Sequence, residues 1–385
     1  MNIFDCIWPA RFTYSNRSLT KKPRKVSGAL EDIVVIPSNL NFRPAKCLIV
    51  GGGPCGLWFA MHLKKMCPHF TIDILETAPI VYPQTHLVDL DPNEISTFLE
   101  WTPSVAKTNS IRMDDLRLQM EQYILRTYND IKILPTSYEI RIAEVSIPYT
   151  YVFGIDGSNS SFYNTYFKSS NDTTPAYQYF IELSYHVSGN PSLLTPLQLA
   201  FVKKNIAEMR DIQQLVYENI VVLRLEISSG QYLTTKDACK TFHTSAAWTK
   251  YNAIPKVVRD MLHFWISARK YFLKETVQAT SPEIRFFQFP TFVRNPVSEK
   301  HPTFYLLGAA AFQLRLSNGL KQSMNFCASI AALFCTSDVI VRDEFVRRYR
   351  RFVEQCENEN NQICANVNIS VPVYEIERWR ETAIY

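Results

Sequence analysis

Apolar and polar positions switch between two periods along this chain, and the switches mark its elements. Cys47-Leu48-Ile49-Val50 is a short apolar run that reads as a strand. It breaks at Gly51-Gly52-Gly53-Pro54-Cys55-Gly56 and resumes as a helix-like pattern through Leu63. Thr71 to Leu75 reads as a second strand, ending in the acid Glu76. Pro83, Pro92 and Pro103 make Tyr82 to Lys107 a loop region, with a short helix near Glu94 to Leu99. Ile111 to Tyr128 carries Met113, Leu116, Met120 and Ile124 at helical spacing, and Ile131 to Leu134 follows as a strand. Tyr138 to Ile147 and Tyr149 to Phe153 read as strands leading into Gly154-Ile155-Asp156-Gly157-Ser158.

The pattern then changes. Tyr177 to Val187, Ile220 to Ile227, Tyr232 to Thr234 and Phe286 to Val293 read as strands, while Gln198 to Glu218 and Pro255 to Tyr271 read as helices. Phe304 to Leu307 is a buried strand running into Gly308. Asn318 to Phe334 is a helix with Ala328, Ala331 and Ala332 at close-packing positions, and a charged helix runs from Asp338 to about Glu357. The predicted fold class is α/β: a Rossmann-type domain, built from residues 46–160 and 304–340, with an inserted α+β domain over 161–303. Residues 1–45 form an N-terminal arm and 341–385 a C-terminal helix and tail.

Composition narrows the function classes. At 385 residues with 46% hydrophobic positions the chain has ample core for two joined domains, and a net charge of +5 does not argue for nucleic acid. Nine cysteines lie scattered, with no C-x-x-C, H-x-x-x-H or H-E-x-x-H, so no metal site is predicted. The dispersed set points to a reducing compartment with thiols serving as small core residues. Cys47 to Leu63 is too short and too rich in glycine for a membrane span, and Met1 to Asp5 does not read as a signal peptide, which gives a cytoplasmic expectation. Lys21-Lys22-Pro23-Arg24-Lys25 reads either as a nuclear-import or anionic-surface signal or as a solvated loop.

The glycines carry the chemistry. The chain has only 11, and eight of them fall at three places: residues 51–56, 154–157, and 308 with 319. Gly51, Gly53 and Gly56 fit G-x-G-x-x-G between a strand and a helix. Gly51 serves the tight turn, Gly53 lets a pyrophosphate reach the backbone, and Gly56 lets the helix pack closely. Pro54 and Cys55 begin that helix, whose N-terminus favours an anion. Glu76, twenty residues past Gly56, is placed to accept hydrogen bonds from ribose hydroxyls. An exposed Cys55 thiol at a helix start would be acidified; a buried one is a packing residue.

Together these segments resemble a FAD-dependent monooxygenase of the aromatic-hydroxylase class, and most nearly the flavin monooxygenase domain of the MICAL proteins, from about Pro44 to Trp379. Cys47 to Glu76 is similar to the FAD fingerprint, His86 to Leu90 to the segment after it, and Ser110-Ile111-Arg112 to the serine-isoleucine-arginine start of the long helix. Gly154-Ile155-Asp156-Gly157 resembles the aspartate-glycine motif. Glu218 to Val221 and Phe287 to Phe289 resemble the inserted domain, and Gly308 to Ala328 resembles the last flavin motif. The resemblance implies FAD as cofactor, NADPH as reductant, oxygen as co-substrate and filamentous actin as a protein substrate. It also implies Gly51, Gly53, Pro54, Cys55, Gly56, Glu76, Arg112, Asp156, Gly157, Gly308 and Gly319 as cofactor-binding residues. No catalytic side chain is singled out, because in this class the flavin carries the chemistry.

This sequence departs from that family at Ala309, where an aspartate is usual, at Thr77 after the ribose-binding Glu, where a basic residue is usual, and at Pro83, near a usual arginine. These departures support a rival reading, a degenerate flavoprotein fold serving as an interaction or scaffold module. Arg342, Arg347, Arg348, Arg350 and Arg351 make the late helix basic: a solvated face, or a surface for an acidic filament.

Overall fold

In a computed structural model the residues described are 45–76, 87–90, 110–134, 149–169, 174–189, 191–205, 211–238, 254–278, 282–335 and 338–365. The basic run at Lys21, the segment holding Thr77, Pro83 and His86, the helix near Glu94 and the strand at Tyr138 to Ile147 lie outside them, as does the tail with Trp379. Lys46–Val50 (β1) passes through the glycines into Pro54–Met66 (α1), and Thr71–Leu75 (β2) follows. α1 forms because Pro54 presets the first turn, no β-branched residue interrupts it, and Lys64 and Lys65 meet its negative end. Leu87–Asp89 (β3) pairs antiparallel with Ser110–Arg112 (β4). Met113–Thr127 (α2) starts directly after β4, so Ile111 and Arg112 of the expected helix are strand. Asp114 and Asp115 in its first turn and Arg126 in its last suit its dipole. Ile131–Leu134 (β5) and Tyr151–Gly154 (β6) complete this half, followed by Ser161–Tyr166 (α3).

The second unit of structure begins at Ala176–His186 (β7) and continues through Pro196–Asn205 (α4), Asp211–Tyr217 (β8), Ile220–Ile227 (β9), Ser229–Ala238 (α5), Lys256–Leu273 (α6) and Glu283–Val293 (β10). Phe304–Leu306 (β11), a 3-10 turn at Gly308–Ala310, Phe312–Gln313 (β12), Gly319–Ile330 (α7), a 3-10 stretch at Ala331–Cys335 and Asp338–Ala365 (α8) follow. Two expectations fail here. Gln198 to Glu218 is not one helix, because Asp211–Tyr217 pairs along its whole length with β9. Tyr232 to Thr234 is helical, because Ser228 and Gln231 cap α5 reciprocally: the Gln231 N–H donates to Ser228 Oγ at 3.2 Å and the Ser228 N–H to Gln231 Oε1 at 2.9 Å.

The strands form two five-stranded sheets. The first runs β11-β6-β1-β2-β5, with every neighbouring pair parallel. The chain leaves β1 toward β2 on one side while β6 lies on the other, so the topological switch point falls between β1 and β6. The second sheet runs β12-β10-β7-β9-β8 and is antiparallel. The first core gathers Trp58, Phe59, Phe153, Phe326 and Phe334, and takes in Phe162 of α3 and Val341, Phe345 and Tyr349 of α8. Burying each such side chain contributes roughly 2–3 kcal/mol. The second core packs one face of β7, β9 and β10 (Ile181, Leu183, Leu223, Leu225, Ile284) on Met261, Leu262 and Trp265 of α6.

The cysteine expectation needs correcting at one pair. Cys47, Cys55, Cys327 and Cys356 are free and at least half-buried, but Cys67 and Cys335 form a disulfide with a Cα–Cα distance of 5.7 Å. It joins the end of α1 to the end of the 3-10 stretch after α7. Among the described residues no helix is long and apolar enough to cross a membrane.

Candidate functional site

The carboxyl ends of four parallel strands bring the expected segments together. Gly51–Gly56 follows β1, Glu76 follows β2, Ile155–Gly157 follows β6, and Leu307–Gly308 follows β11. In an open α/β sheet the crevice beyond such strand ends, at the switch point, is where ligands bind.

The glycine loop is shaped by two close approaches. Gly51 has φ of +119°, and a β-carbon there would lie 2.5 Å from the Ile155 carbonyl oxygen. A β-carbon at Gly56 would overlap the Gly51 carbonyl oxygen, so α1 can approach the loop only through glycine. Gly53 is different: apart from its chain neighbours, no atom of the described residues lies within 4 Å of its missing β-carbon. It stands at the N-cap of α1, which has no side-chain cap and no acid in its first turn. The first N–H groups of such a helix lack intrahelical acceptors and face an anion favourably.

Glu76 lies against this loop, since a β-carbon at Gly52 would collide with its carboxylate. The carboxylate accepts a hydrogen bond from Arg117 Nη1 of α2 at 3.3 Å. Arg117 thus brings to Glu76 a positive charge that the sequence next to Glu76 lacks. Its only sequence signal is its position on the inward side of an amphipathic helix. Arg112 stands at the N-cap of α2, 3.9 Å from Asp115, whose carboxylate accepts from the Tyr217 hydroxyl of β8 at 3.0 Å. That places it at a joint with the second sheet.

Asp156 uses one carboxylate oxygen, Oδ2, to accept from the Phe162 N–H at 3.1 Å and the Ser161 hydroxyl at 3.2 Å, anchoring the start of α3. Among the described residues its other oxygen, Oδ1, is buried without a hydrogen-bond partner. A buried orphan of this kind is costly unless something else completes it. Gly157 beside it, like Gly53, opens onto space.

Gly308, two residues past β11, faces Cys55, whose Cβ would lie 3.4 Å from a β-carbon there. Burial pushes the Cys55 thiol up to about 12, against a hydrogen bond with Ser323 that pulls it down. Cys55 is therefore a packing thiol, and any contact it makes with an anion is through its N–H. Trp58 and Phe59 also pack inward, Trp58 Nε1 donating to the Met324 carbonyl at 3.0 Å and Phe59 lying edge-on to Phe153. Gly319 opens α7 with Phe289 of β10 the nearest neighbour of its missing β-carbon, at 4.0 Å.

The face of the second sheet opposite its core is mixed, with Phe180 stacked on Phe287 and Leu215 and Val222 in a small apolar cluster, and it carries one polar row. Arg285, Glu182, Arg224 and Gln213 sit in one cross-strand row. Arg224 Nε donates to Glu182 Oε2 at 2.7 Å and its Nη1 to Gln213 Oε1 at 3.2 Å, and Gln213 Nε2 reaches the Ser317 carbonyl at 3.5 Å. Alternation marks these positions as one face, but nothing in the sequence says that the face meets residues 315–319. A shallow groove of about 440 Å³ lined by Thr291, Phe292, Val293, Leu314, Glu357 and Asn360 includes none of the four strand-end segments and is not the candidate site.

Among solved structures, the flavin-dependent halogenase CmlS matches with a TM-score of 0.51 at 14% identity, over 88% of this chain and 70% of its own. The tetrameric form of 2-methyl-3-hydroxypyridine-5-carboxylic acid oxygenase matches at 0.51 and 14%, over 86% and 95%. CtdE, in complex with FAD and a substrate, matches at 0.51 and 13%, over 88% and 98%. This chain shares their fold. No protein-family model and no curated protein matches the sequence.

Proposed function

We propose that the chain is a FAD-binding oxidoreductase, with the cofactor's ADP half at the β1–β6 switch point. The observation that carries this reading is the convergence of the glycine loop, Glu76, Asp156 and Gly308 at the carboxyl ends of four adjacent parallel strands. The residues present fit that group. Gly53 and Gly157 leave room beside the backbone, the uncapped start of α1 suits a pyrophosphate, and Asp156 Oδ1 lacks a partner among the described residues. Gly51, Gly53 and the N–H groups of Cys55 and Gly56 would hold the pyrophosphate, and Glu76, steadied by Arg117, the adenosine ribose. Asp156 would orient a hydroxyl or an ordered water next to the phosphates. Gly308, Gly319 and the start of α7 would flank the ribityl chain and the ring.

FAD bound there would supply hydride acceptance and oxygen activation, which no side chain of the site provides. The sequence resemblance to MICAL-type monooxygenases extends the reading to NADPH as reductant and a protein substrate such as filamentous actin. A second reading, a flavoprotein fold retained as an interaction module, is favoured by Ala309, which offers no carboxylate to the cofactor.

The visible spectrum of the purified chain decides between them. A flavin absorption band, as isolated or after incubation with excess FAD, is expected, and its absence in both conditions refutes the FAD reading. With FAD bound, NADPH consumption under air separates an oxygenase from a passive binder.

A further inference from the structure

We propose that Arg294 is a positioning residue for the cofactor crevice, a guanidinium clamp that holds the second and third glycine segments in register where position 309 offers no carboxylate. The inference rests on the FAD reading above for its functional meaning, but its geometry stands independently. Arg294 follows the last residue of β10 and reaches back into the Rossmann half. Its Nη1 donates to the Ala310 carbonyl at 2.8 Å and its Nη2 to the Ser158 carbonyl at 3.1 Å. One side chain therefore ties the turn after β6 to the turn after β11.

The clamp is held from every side. The guanidinium carbon lies 3.9 Å from the Tyr163 ring centroid and 3.8 Å from that of Phe292, contacts that restrict where its N–H groups point. The Arg294 N–H donates to the Ala311 carbonyl at 2.9 Å. The buried Tyr349 hydroxyl of α8 lies 3.0 Å from both the Arg294 and the Ala311 carbonyls, sharing its proton between them. The turn at 308–311 is thus fastened through β10 and α8 rather than through a side chain of its own. A planar fork with two parallel donors is what this geometry uses, and a lysine ammonium cannot reproduce it.

The test compares Arg294→Lys and Arg294→Ala with the parent chain. FAD affinity, followed by flavin fluorescence, is expected to fall about tenfold or more in both, since charge-assisted hydrogen bonds order the loops it meets. ADP, which meets the Gly51–Glu76 side and Asp156 but not the 308–311 turn, is expected to lose clearly less affinity than FAD. Backbone hydrogen exchange is expected to accelerate at residues 155–158 and 308–311 and to stay slow in β1 and α1. Equal losses for ADP and FAD, rescue by lysine, or unchanged exchange at those two segments would each overturn the clamp. A parent chain that binds no FAD sinks the proposed function alone, and the exchange data then decide the clamp.

Discussion

At the scale of single residues, the glycine loop makes two positions separable that a motif treats alike. Gly56→Ala drives a methyl into the Gly51 carbonyl, a backbone atom that cannot swing aside. It is expected to destabilise the fold by about 1–3 kcal/mol, seen as a lower Tm. Gly53→Ala meets nothing and has an ordinary φ of −71°, so Tm is expected to hold while FAD affinity falls, because the methyl enters the space a pyrophosphate needs. Equal Tm losses for the two variants would refute this assignment of roles. His62, its ring tilted against that of Trp58 with centroids 4.6 Å apart, carries a second prediction. Burial lowers its pKa from 6.5 to about 4, so the folded protein keeps it neutral while the unfolded chain takes up a proton. Its contribution is complete above pH 6.5 and is lost as pH falls toward 4, on the order of 3 kcal/mol. Tm measured between pH 7 and pH 4.5 should fall more steeply for the parent than for His62→Gln; parallel curves would exclude His62 as the cause.

At the scale of elements, local chemistry explains where periodicity misleads. The capping boxes Ser228-x-x-Gln231 and Thr195-x-x-Gln198 start α5 and α4, and both are readable in the sequence once sought. By contrast, Asp211–Tyr217 fits a helix as well as a strand until β9 offers it a partner, so pairing decides. The Cys67–Cys335 link belongs to this scale too, because it fastens the end of α1 to the 3-10 stretch that carries Phe334 into the aromatic core. It closes 268 residues of sequence separation, and cross-linking so long a loop stabilises by about 2–5 kcal/mol. Cys67→Ser with Cys335→Ser, or reductant added to the parent, should lower the denaturant midpoint accordingly, while thiol titration of the denatured, unreduced parent should find this pair blocked. Full titration of all nine cysteines without reductant would contradict the pairing.

For the whole molecule, strand order is what turns scattered motifs into a site. The pattern of apolar runs and glycines by itself determined β1, α1, β2 and β11, because a strand buried on both faces and a helix that must touch a turn leave few residue types at each position. It also determined the α/β class and the change of pattern between β6 and β11. It did not determine that β6 lies beside β1, which sets Asp156 opposite the glycine loop with one oxygen unpartnered. Nor could it reveal Arg117 at Glu76, Arg294 between two turns, or Cys67 bonded to Cys335, since each joins residues far apart in sequence that only packing brings within a few ångströms. Periodicity reports what a residue does to its own element, and a contact across the core leaves no period in either partner. The loop at Gly51–Gly56 was therefore legible from the sequence alone, while the groups that fasten the crevice around it were decided by the tertiary structure.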